Sequence, residues 1–155
     1  MKAIFSFLTR STKRFFKGPS PNKTILIGNV AFADVRITKD TNEANVGRRP
    51  RNVPTRGGGL SASYDLQGER WRGFGVRLGV HHVGERFGEN SPSRPVFFLP
   101  SYTRWDAGLS YQTAGWRVAL NLENLLDETY YVAVNNGLIF PGAPRGASLS
   151  IRYDL

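Results

Sequence analysis

Few side chains of this 155-residue chain have the types and spacing that enzyme chemistry requires. His81 and His82 are adjacent, and neighbouring residues of a strand point to opposite faces, so one strand cannot direct both rings at one metal ion. The segment GASLS (146–150) lacks the second glycine of the hydrolase motif Gly-x-Ser-x-Gly. Because the chain contains no cysteine, disulfide bonds and cysteine-based metal sites are excluded. We therefore predict no enzyme activity, no bound metal ion and no cofactor.

A second concentration of polar side chains is the segment NLENLLDETYY (121–131). Apolar residues occupy every second position up to Leu122, as in a strand with one apolar face, and the alternation stops after Asn124. Asn and Asp side chains can hydrogen-bond neighbouring backbone groups, so we expect the strand to leave its sheet here. Tyr130 and Tyr131 can then lie at the level of lipid headgroups with their hydroxyls in water. A direct contact with a ligand is the alternative.

The net charge of +9 suggests a nucleic-acid-binding protein until its distribution is considered. Residues 1–23 carry six basic and no acidic side chains, whereas the other 132 residues carry 15 basic and 12 acidic ones. We predict that residues 1–23 are a basic leader without regular structure and that residues 24–155 form the folded part. The apolar run AIFSFL is too short for a signal peptide. A basic arm at a membrane surface is the alternative for this leader.

From Thr24 onward the sequence predicts six strands, five of which alternate almost without interruption between apolar and polar residues. Their predicted bounds are 24–35, 58–66, 73–83, 102–111, 116–122 and 146–155. The alternation places Trp105, Leu109, Trp116 and Leu120 on one face, and Arg104, Asp106 and Arg117 on the other.

The predicted connections alternate in length as regularly as the strands alternate in polarity. QGER (67–70) and QTAG (112–115) are short, whereas residues 36–57, 84–101 and 124–145 are long and rich in Gly, Pro, Asn and Arg. Short turns at one end and long loops at the other are typical of outer-membrane β-barrels. The charged face would be costly to bury in a soluble protein but can face a water-filled lumen. The predicted fold class is therefore all-β, an antiparallel up-and-down meander of about six strands from a transmembrane β-barrel wall.

With these strands assigned, the end of the chain resembles that of TonB-dependent siderophore receptors. In that family a penultimate strand runs into Asn-Leu-x-Asn-Leu-x-Asp-x-x-Tyr, and the last strand follows a Pro-Gly-x-Pro-Arg segment. The matching residues here are Asn121, Asn124, Leu125, Asp127, Tyr130, Pro141, Gly142, Pro144 and Arg145. The segments ITKDTNEANVGRRPRNVP (37–54) and LPSYTRWDAGLSY (99–111) are also similar to that family.

The resemblance implies a 22-stranded barrel filled by an amino-terminal plug, in an outer membrane, that imports ferric siderophores with energy from the TonB complex. Nothing in this chain resembles the plug, and six strands are fewer than any bacterial barrel contains. We therefore expect the chain to correspond to the carboxy-terminal end of a receptor and to be inactive alone. Lipid would be a partner of the wall, and nucleic acid would not.

The resemblance also implies that aromatic and arginine side chains near the outer mouth hold the siderophore. The candidates in or beside the long loops are Arg94, Phe97, Phe98, Tyr102, Tyr130, Tyr131 and Phe140. Arg145 could likewise attract an anionic chelate. The alternatives are an aromatic girdle at the membrane interface for the rings and solvated loop charges for the arginines.

Two other classes of function remain as alternatives. A soluble β-domain with a basic tail would bind nucleic acid with a steep dependence on salt. A soluble barrel that binds a small ligand would be a folded monomer without detergent. Neither accounts for the separation of short turns from long loops or for the terminal motif.

The last strand generates a prediction about assembly. By the resemblance, the barrel-assembly machinery recognises a terminal strand with apolar residues at every second position and a final aromatic residue. This chain keeps the alternation but ends in Leu155, so we expect Leu155→Phe to strengthen binding of a terminal-strand peptide to the assembly factor. Fluorescence titration of the two peptides measures this, and equal or weaker binding of the Phe peptide would show that the ring is not what the terminus lacks.

Overall fold

The computed structural model describes residues 24–66 and 68–154, together with the backbone of residues 13–15. Eleven strands and two short 3₁₀ helices occur in these residues. The strands of the large sheet are β1 (Lys13–Phe15), β2 (Thr24–Phe32), β3 (Arg56–Asp65), β4 (Phe74–Val83), β7 (Tyr102–Thr113), β8 (Trp116–Glu123) and β11 (Gly146–Tyr153). The loop strands are β5 (Arg86–Glu89), β6 (Phe97–Leu99), β9 (Tyr131–Asn135) and β10 (Leu138–Pro141), and the 3₁₀ helices are Glu43–Asn45 and Glu69–Trp71.

The large sheet is an antiparallel meander with the order β1-β2-β3-β4-β7-β8-β11. Its last six strands are the six predicted from the alternation, paired in sequence order as expected. Residues 102–113 and 116–123 are strands, and no helix lies between residues 100 and 123, so the two strands predicted for this segment are confirmed. The first strand ends at Phe32 rather than at residue 35, and the β7–β8 turn shortens to two residues because β7 extends to Thr113.

The segment predicted as an unstructured leader contains one described element. The backbone of Lys13–Phe15 forms β1 and pairs antiparallel with residues 26–28 of β2. The rest of residues 1–23 lies outside the described residues, and the division of the chain at residue 23 stays a prediction. Leu155 also lies outside them, so the structure does not bear on the predicted role of the terminal residue.

The register of the strands produces two chemically different faces. Leu109 of β7 lies opposite Val76 of β4 and Leu120 of β8, and Leu120 lies opposite Leu149 of β11. The next residue along each strand points to the other face, where Ser110 lies opposite Gly75 and Ala119. This register confirms the predicted apolar face. On the polar face, Gln112 is paired with Arg117, as the alternation of the two strands requires.

The apolar face is not covered by any other described layer. Its side chains are exposed along the whole sheet, for example Phe32 (66%), Leu109 (56%) and Ile151 (62%). Aromatic rings gather at the turn end of this face, where Trp116 lies 4.7 Å from Tyr153 between ring centroids. Within the described ranges, no helix is long and apolar enough to cross a membrane.

Burial occurs instead in and beside the three long loops. The buried apolar residues are Val35, Leu99, Tyr130 and Val134. Two of the long loops contain hairpins that the sequence interpretation left unassigned: β5 pairs with β6, and β9 pairs with β10. The β9–β10 turn is Asn136-Gly137, with φ angles of 49° and 83°, as a two-residue type I′ turn requires.

The two faces generate a matched test in the middle of β8. Leu120→Arg places a charge on the apolar face, whereas Ala119→Arg places the same charge on the polar face of the same strand. If the apolar face lies in lipid, the first change should destabilise the folded protein in vesicles by about 2–4 kcal/mol and the second by much less. Denaturant titration in vesicles measures both, and equal effects would contradict the assignment of the faces.

Candidate ligand site at the loop end of the sheet

A cavity of about 570 Å³ lies against the polar face of the sheet, towards the long loops. Its lining includes Arg77, His81, Arg104, Asp106 and Tyr130. Glycine neighbours give the long side chains room: His81 lies opposite Gly59, and Arg77 lies opposite Gly108. His82 points to the other face, where its ring nitrogen Nδ1 is 2.9 Å from the hydroxyl of Thr103. Among the described residues, no group of three or more His, Asp or Glu could hold a metal ion.

Arg104 and Asp106 fix the loop end of this face. An Arg104 Nη2 atom donates to Asp106 Oδ2 at 3.0 Å, and Nη1 donates to the hydroxyl of Tyr130 at 3.4 Å. The other oxygen of Asp106 accepts the backbone N–H of Asn124 at 3.0 Å. The contacts with Tyr130 and Asn124 attach the loop after β8 to β7, and the contact between Arg104 and Asp106 joins two residues of β7 itself.

Asn124 forms the turn at which the chain leaves the sheet. It has a left-handed φ of 51°, which Asn tolerates better than most residues, and it is 1% exposed. Its amide nitrogen donates to the carbonyls of Glu128 and Ala143, and its amide oxygen accepts the N–H of Glu128. Asp127 accepts the backbone N–H of Arg145 at 2.8 Å in the same way. In the structure, therefore, the amide and carboxylate of this segment hold the backbone of a turn.

Two tyrosines and a buried arginine form a cluster next to Arg104, which Tyr130 contacts through its hydroxyl. The rings of Tyr102 and Tyr130 are stacked with 4.4 Å between centroids, and the Arg86 guanidinium lies 5.7 Å from the Tyr102 ring. Arg86 Nη2 donates to the carbonyls of Tyr131 and Val132 on β9. Burial lowers the pKa of Arg86 from its ordinary value. Its Nη1 atom is buried without a hydrogen-bond partner among the described residues.

A second cleft, of about 450 Å³, lies between the first two long loops. Glu89 is buried there, and its Oε1 atom accepts the backbone N–H groups of Asn90 and Ser91 at 3.0 Å each. Its Oε2 atom lies 3.6 Å from both Arg51 and Arg94. Arg94 therefore neutralises a buried acid while half of its side chain stays exposed.

The structure separates the predicted ligand residues into four places. Tyr102, Tyr130 and Tyr131 lie together beside the large cavity. Phe97 and Phe98 are successive residues of β6, so they point to opposite sides, and the Phe98 ring lies 4.5 Å from that of Phe87. Phe140 is exposed on β10, and Arg94 lines the second cleft. A ligand role for these residues stays a prediction.

The sequence interpretation missed the polar residues that organise the loops, namely Asn52, Arg86 and Glu89. Each lies in or beside a long loop and contacts a group that is remote in sequence, which for Glu89 is Arg51, so no local periodicity marks it. The pair Asn136-Gly137, flanked by apolar residues, was an available signal for the β9–β10 hairpin.

Comparison with known proteins gives a match to a family model and a similar curated relative. A family model described as the β-barrel of TonB-dependent receptor-like proteins matches residues 12–125. The metal-pseudopaline receptor CntO of Pseudomonas aeruginosa is 37% identical over 142 residues, which is 90% of this chain and 20% of the relative.

Solved structures share the fold at lower identity. The ferric preacinetobactin receptor BauA of Acinetobacter baumannii matches 92% of this chain and 21% of its own with a TM-score of 0.72 and 24% identity. FpvA of P. aeruginosa, in complex with iron and a pyoverdine, matches 89% of this chain and 18% of its own with a TM-score of 0.72 and 22% identity. The chain thus spans about a fifth of the length of the proteins it matches.

The packing of Tyr130 generates a prediction with a matched control in the same segment. A Cβ atom at Gly142 would overlap the Tyr130 ring, whereas one at Gly146 would meet nothing within 4 Å. We expect Gly142→Ala to displace the ring from Tyr102 and to destabilise the folded protein by about 1–3 kcal/mol. Gly146→Ala should have little effect. Denaturant titration of both variants measures the difference, and equal stability would contradict the described packing.

Proposed function

The chain belongs to the TonB-dependent receptor family, within its β-barrel, and on that premise we propose that it forms part of the wall of an outer-membrane receptor that takes up metal chelates. The observation that carries this proposal is the two-faced sheet. One face exposes large apolar side chains from end to end, and the other carries arginines, acids and amides around a cavity.

A lipid environment is the physical account of these exposed apolar side chains. Exposing a Leu, Ile or Phe side chain to water costs about 1.5–3 kcal/mol relative to burial, and the sheet exposes many of them. Against lipid tails this cost is absent, and the antiparallel ladder satisfies the backbone groups. The polar face then lines a watery interior, in which Arg104 and Asp106 pair without complete desolvation.

The substrate class we propose is a metal ion held in an anionic organic chelate. A relative of this chain is named for a metal-pseudopaline complex, and two neighbours are described with ferric preacinetobactin and with a pyoverdine and iron. Arg94, half of whose side chain stays exposed and which shares one buried acid with Arg51, would attract such an anion. Tyr102, Tyr131 and Phe140 would contact its organic part. The metal ion is cargo in this proposal.

The partners of the whole receptor follow from the same proposal. A plug inside the barrel would be moved by the TonB complex to release the chelate inward, and the barrel-assembly machinery would insert the wall. Neither step uses a catalytic residue of this chain. We propose that the chain is a transport component and has no enzymatic activity.

Uptake by the native host tests the proposed function. A host strain that lacks residues 24–154 of this chain should lose accumulation of radiolabelled metal from at least one of ferric pyoverdine, ferric preacinetobactin and metal-pseudopaline. Restoring the residues in their native context should restore that accumulation. Unchanged uptake of all three chelates would reject this panel of substrates. A wider set of chelated metals, each given as the sole source of its metal, tests the function itself, and growth equal to that of the intact strain on all of them would reject it.

The proposed role of Arg94 generates a prediction with a control at the opposite end of the sheet. Arg94→Ala removes an exposed positive charge from the cleft, and we expect affinity for an anionic chelate to fall about fivefold, or by about 1 kcal/mol. Arg72→Ala removes the same charge from the β3–β4 turn and should leave affinity unchanged. Titrations at low and high salt measure both, and the Arg94 effect should shrink as salt screens the charge.

A further inference from the structure

Asn52 contacts both of the long loops other than its own. It lies in the loop between β2 and β3, and its backbone N–H donates to the carbonyl of Phe87 on β5 at 2.8 Å. Its side-chain nitrogen Nδ2 donates to the carbonyl of Val134 on β9 at 2.8 Å. Its side-chain oxygen Oδ1 accepts the N–H of the same residue, also at 2.8 Å. One residue thus holds the β5–β6 and β9–β10 hairpins at once.

The side chain of Asn52 acts here as a peptide group would act in a β-sheet. An amide offers a donor and an acceptor in one plane, which is the pattern that one strand presents to the next. Val134 lies opposite Ile139, one position beyond the pair that flanks the two-residue turn. At that position its N–H and C=O point away from β10, towards the open edge of the hairpin. Asn52 occupies that edge and satisfies both groups.

Asn suits the backbone conformation at position 52 as well as the hydrogen bonds that its side chain forms. Asn52 has a left-handed φ of 63°, a conformation in which Asn is enriched relative to other non-glycine residues. Asp would keep the shape but lose the donor, and Gly would keep the backbone but lose the side chain. The position therefore combines a backbone requirement with a side-chain requirement, which can be tested separately.

Other contacts between the loops agree with this arrangement. The side chain of Asn90 donates to the carbonyl of Arg49 at 3.0 Å, and Arg48 donates to the carbonyl of Asn90 at 3.3 Å, so the first and second loops are joined a second time. Arg86 joins the second loop to β9. Val134, the residue that Asn52 holds, is 2% exposed.

We propose that Asn52 is a positioning residue that locks the three long loops into one unit before any ligand arrives. Through Val134 it fixes β9, which carries Tyr131 next to the stacked pair Tyr102 and Tyr130. An arrangement that is already ordered loses less conformational entropy on binding, so Asn52 raises affinity without touching the chelate. This consequence for affinity rests on the function proposed above, whereas the lock itself does not.

Hydrogen exchange of the protein purified in detergent from its native membrane tests the lock. Peptides covering residues 131–137 should exchange at least tenfold faster at the Val134 amide in N52G than in the unsubstituted protein, because N52G removes the acceptor of that amide. The same acceleration is expected in N52D, because its second carboxylate oxygen would face the Val134 carbonyl oxygen and repel it, which separates the pair. Peptides from β7 and β8 should be unchanged. Asn42→Gly is the matched control, because the Asn42 side chain caps a 3₁₀ turn in the same loop through the N–H of Ala44. Exchange within twofold of the unsubstituted protein in both variants, or equal acceleration in the control, would overturn the proposal.

Lowering the pH provides a rescue that a general loss of stability would not give. A protonated carboxyl again offers one donor and one acceptor, so the ratio of exchange rates between N52D and the unsubstituted protein should fall towards one as the introduced carboxyl is protonated. The ratio for N52G should stay high over the same range. A ratio for N52D that does not fall would overturn the peptide-like role of the side chain.

Binding separates the lock from the proposed function. For a chelate of the panel above that binds the unsubstituted protein, N52D should bind about tenfold more weakly at a temperature where both proteins are folded. Unchanged affinity together with fast exchange would overturn the positioning role. If no chelate of the panel binds the unsubstituted protein, that panel fails as the set of substrates, and the exchange experiment still decides whether Asn52 locks the loops.

Discussion

Backbone hydrogen bonding between antiparallel neighbours is the interaction on which the rest of the structure depends. No second described layer packs on the large sheet, so its strands are held by their ladders and by contacts between side chains of adjacent strands. Such a sheet is stable only where its apolar face avoids water, and in a membrane only paired backbone is tolerated. Lipid therefore stabilises the apolar face of the sheet, and the paired backbone allows the sheet to lie in lipid. The alternation of apolar and polar residues provides the apolar face.

The loops carry the packing that the sheet lacks. Val35, Leu99, Tyr130 and Val134 are buried among loop residues, and the buried charges of Arg86 and Glu89 lie there too. In most folded proteins the buried apolar side chains lie in the main helices and strands. In the described part of this chain they lie in and beside the long loops, including the short strands within them, and the large sheet supports those loops. The polar contacts of Asn52, Arg86, Glu89 and Asn90 join the three long loops to one another.

The strands could be predicted from the sequence because alternation is a local signal. Leu109 and Ser110 differ in polarity because they are neighbours on a two-faced strand, and this is visible without the rest of the chain. The exit at Asn124 was also predictable, because the alternation stops there and the residue types suit a turn. Arg86 and Asn52 were not predictable, since their partners, Tyr131 and Val134, are remote in sequence. The family motif identified the wall and gave no information on how the loops are fastened.

The glycines on the polar face have a consequence for how this wall can diverge. His81 lies opposite Gly59, and Arg77 lies opposite Gly108, so the residues that carry polar groups are distinct from the residues that leave space beside them. A change of Arg77 alters the charge of the polar face and leaves the backbone of the sheet in place. A larger residue at Gly59 or Gly108 would instead take up the space beside His81 or Arg77, because a Cβ atom at either position would already lie 3.5 Å from that neighbour. The charge of the polar face and the space in front of it are therefore set by different residues, and a substitution can change one without changing the other.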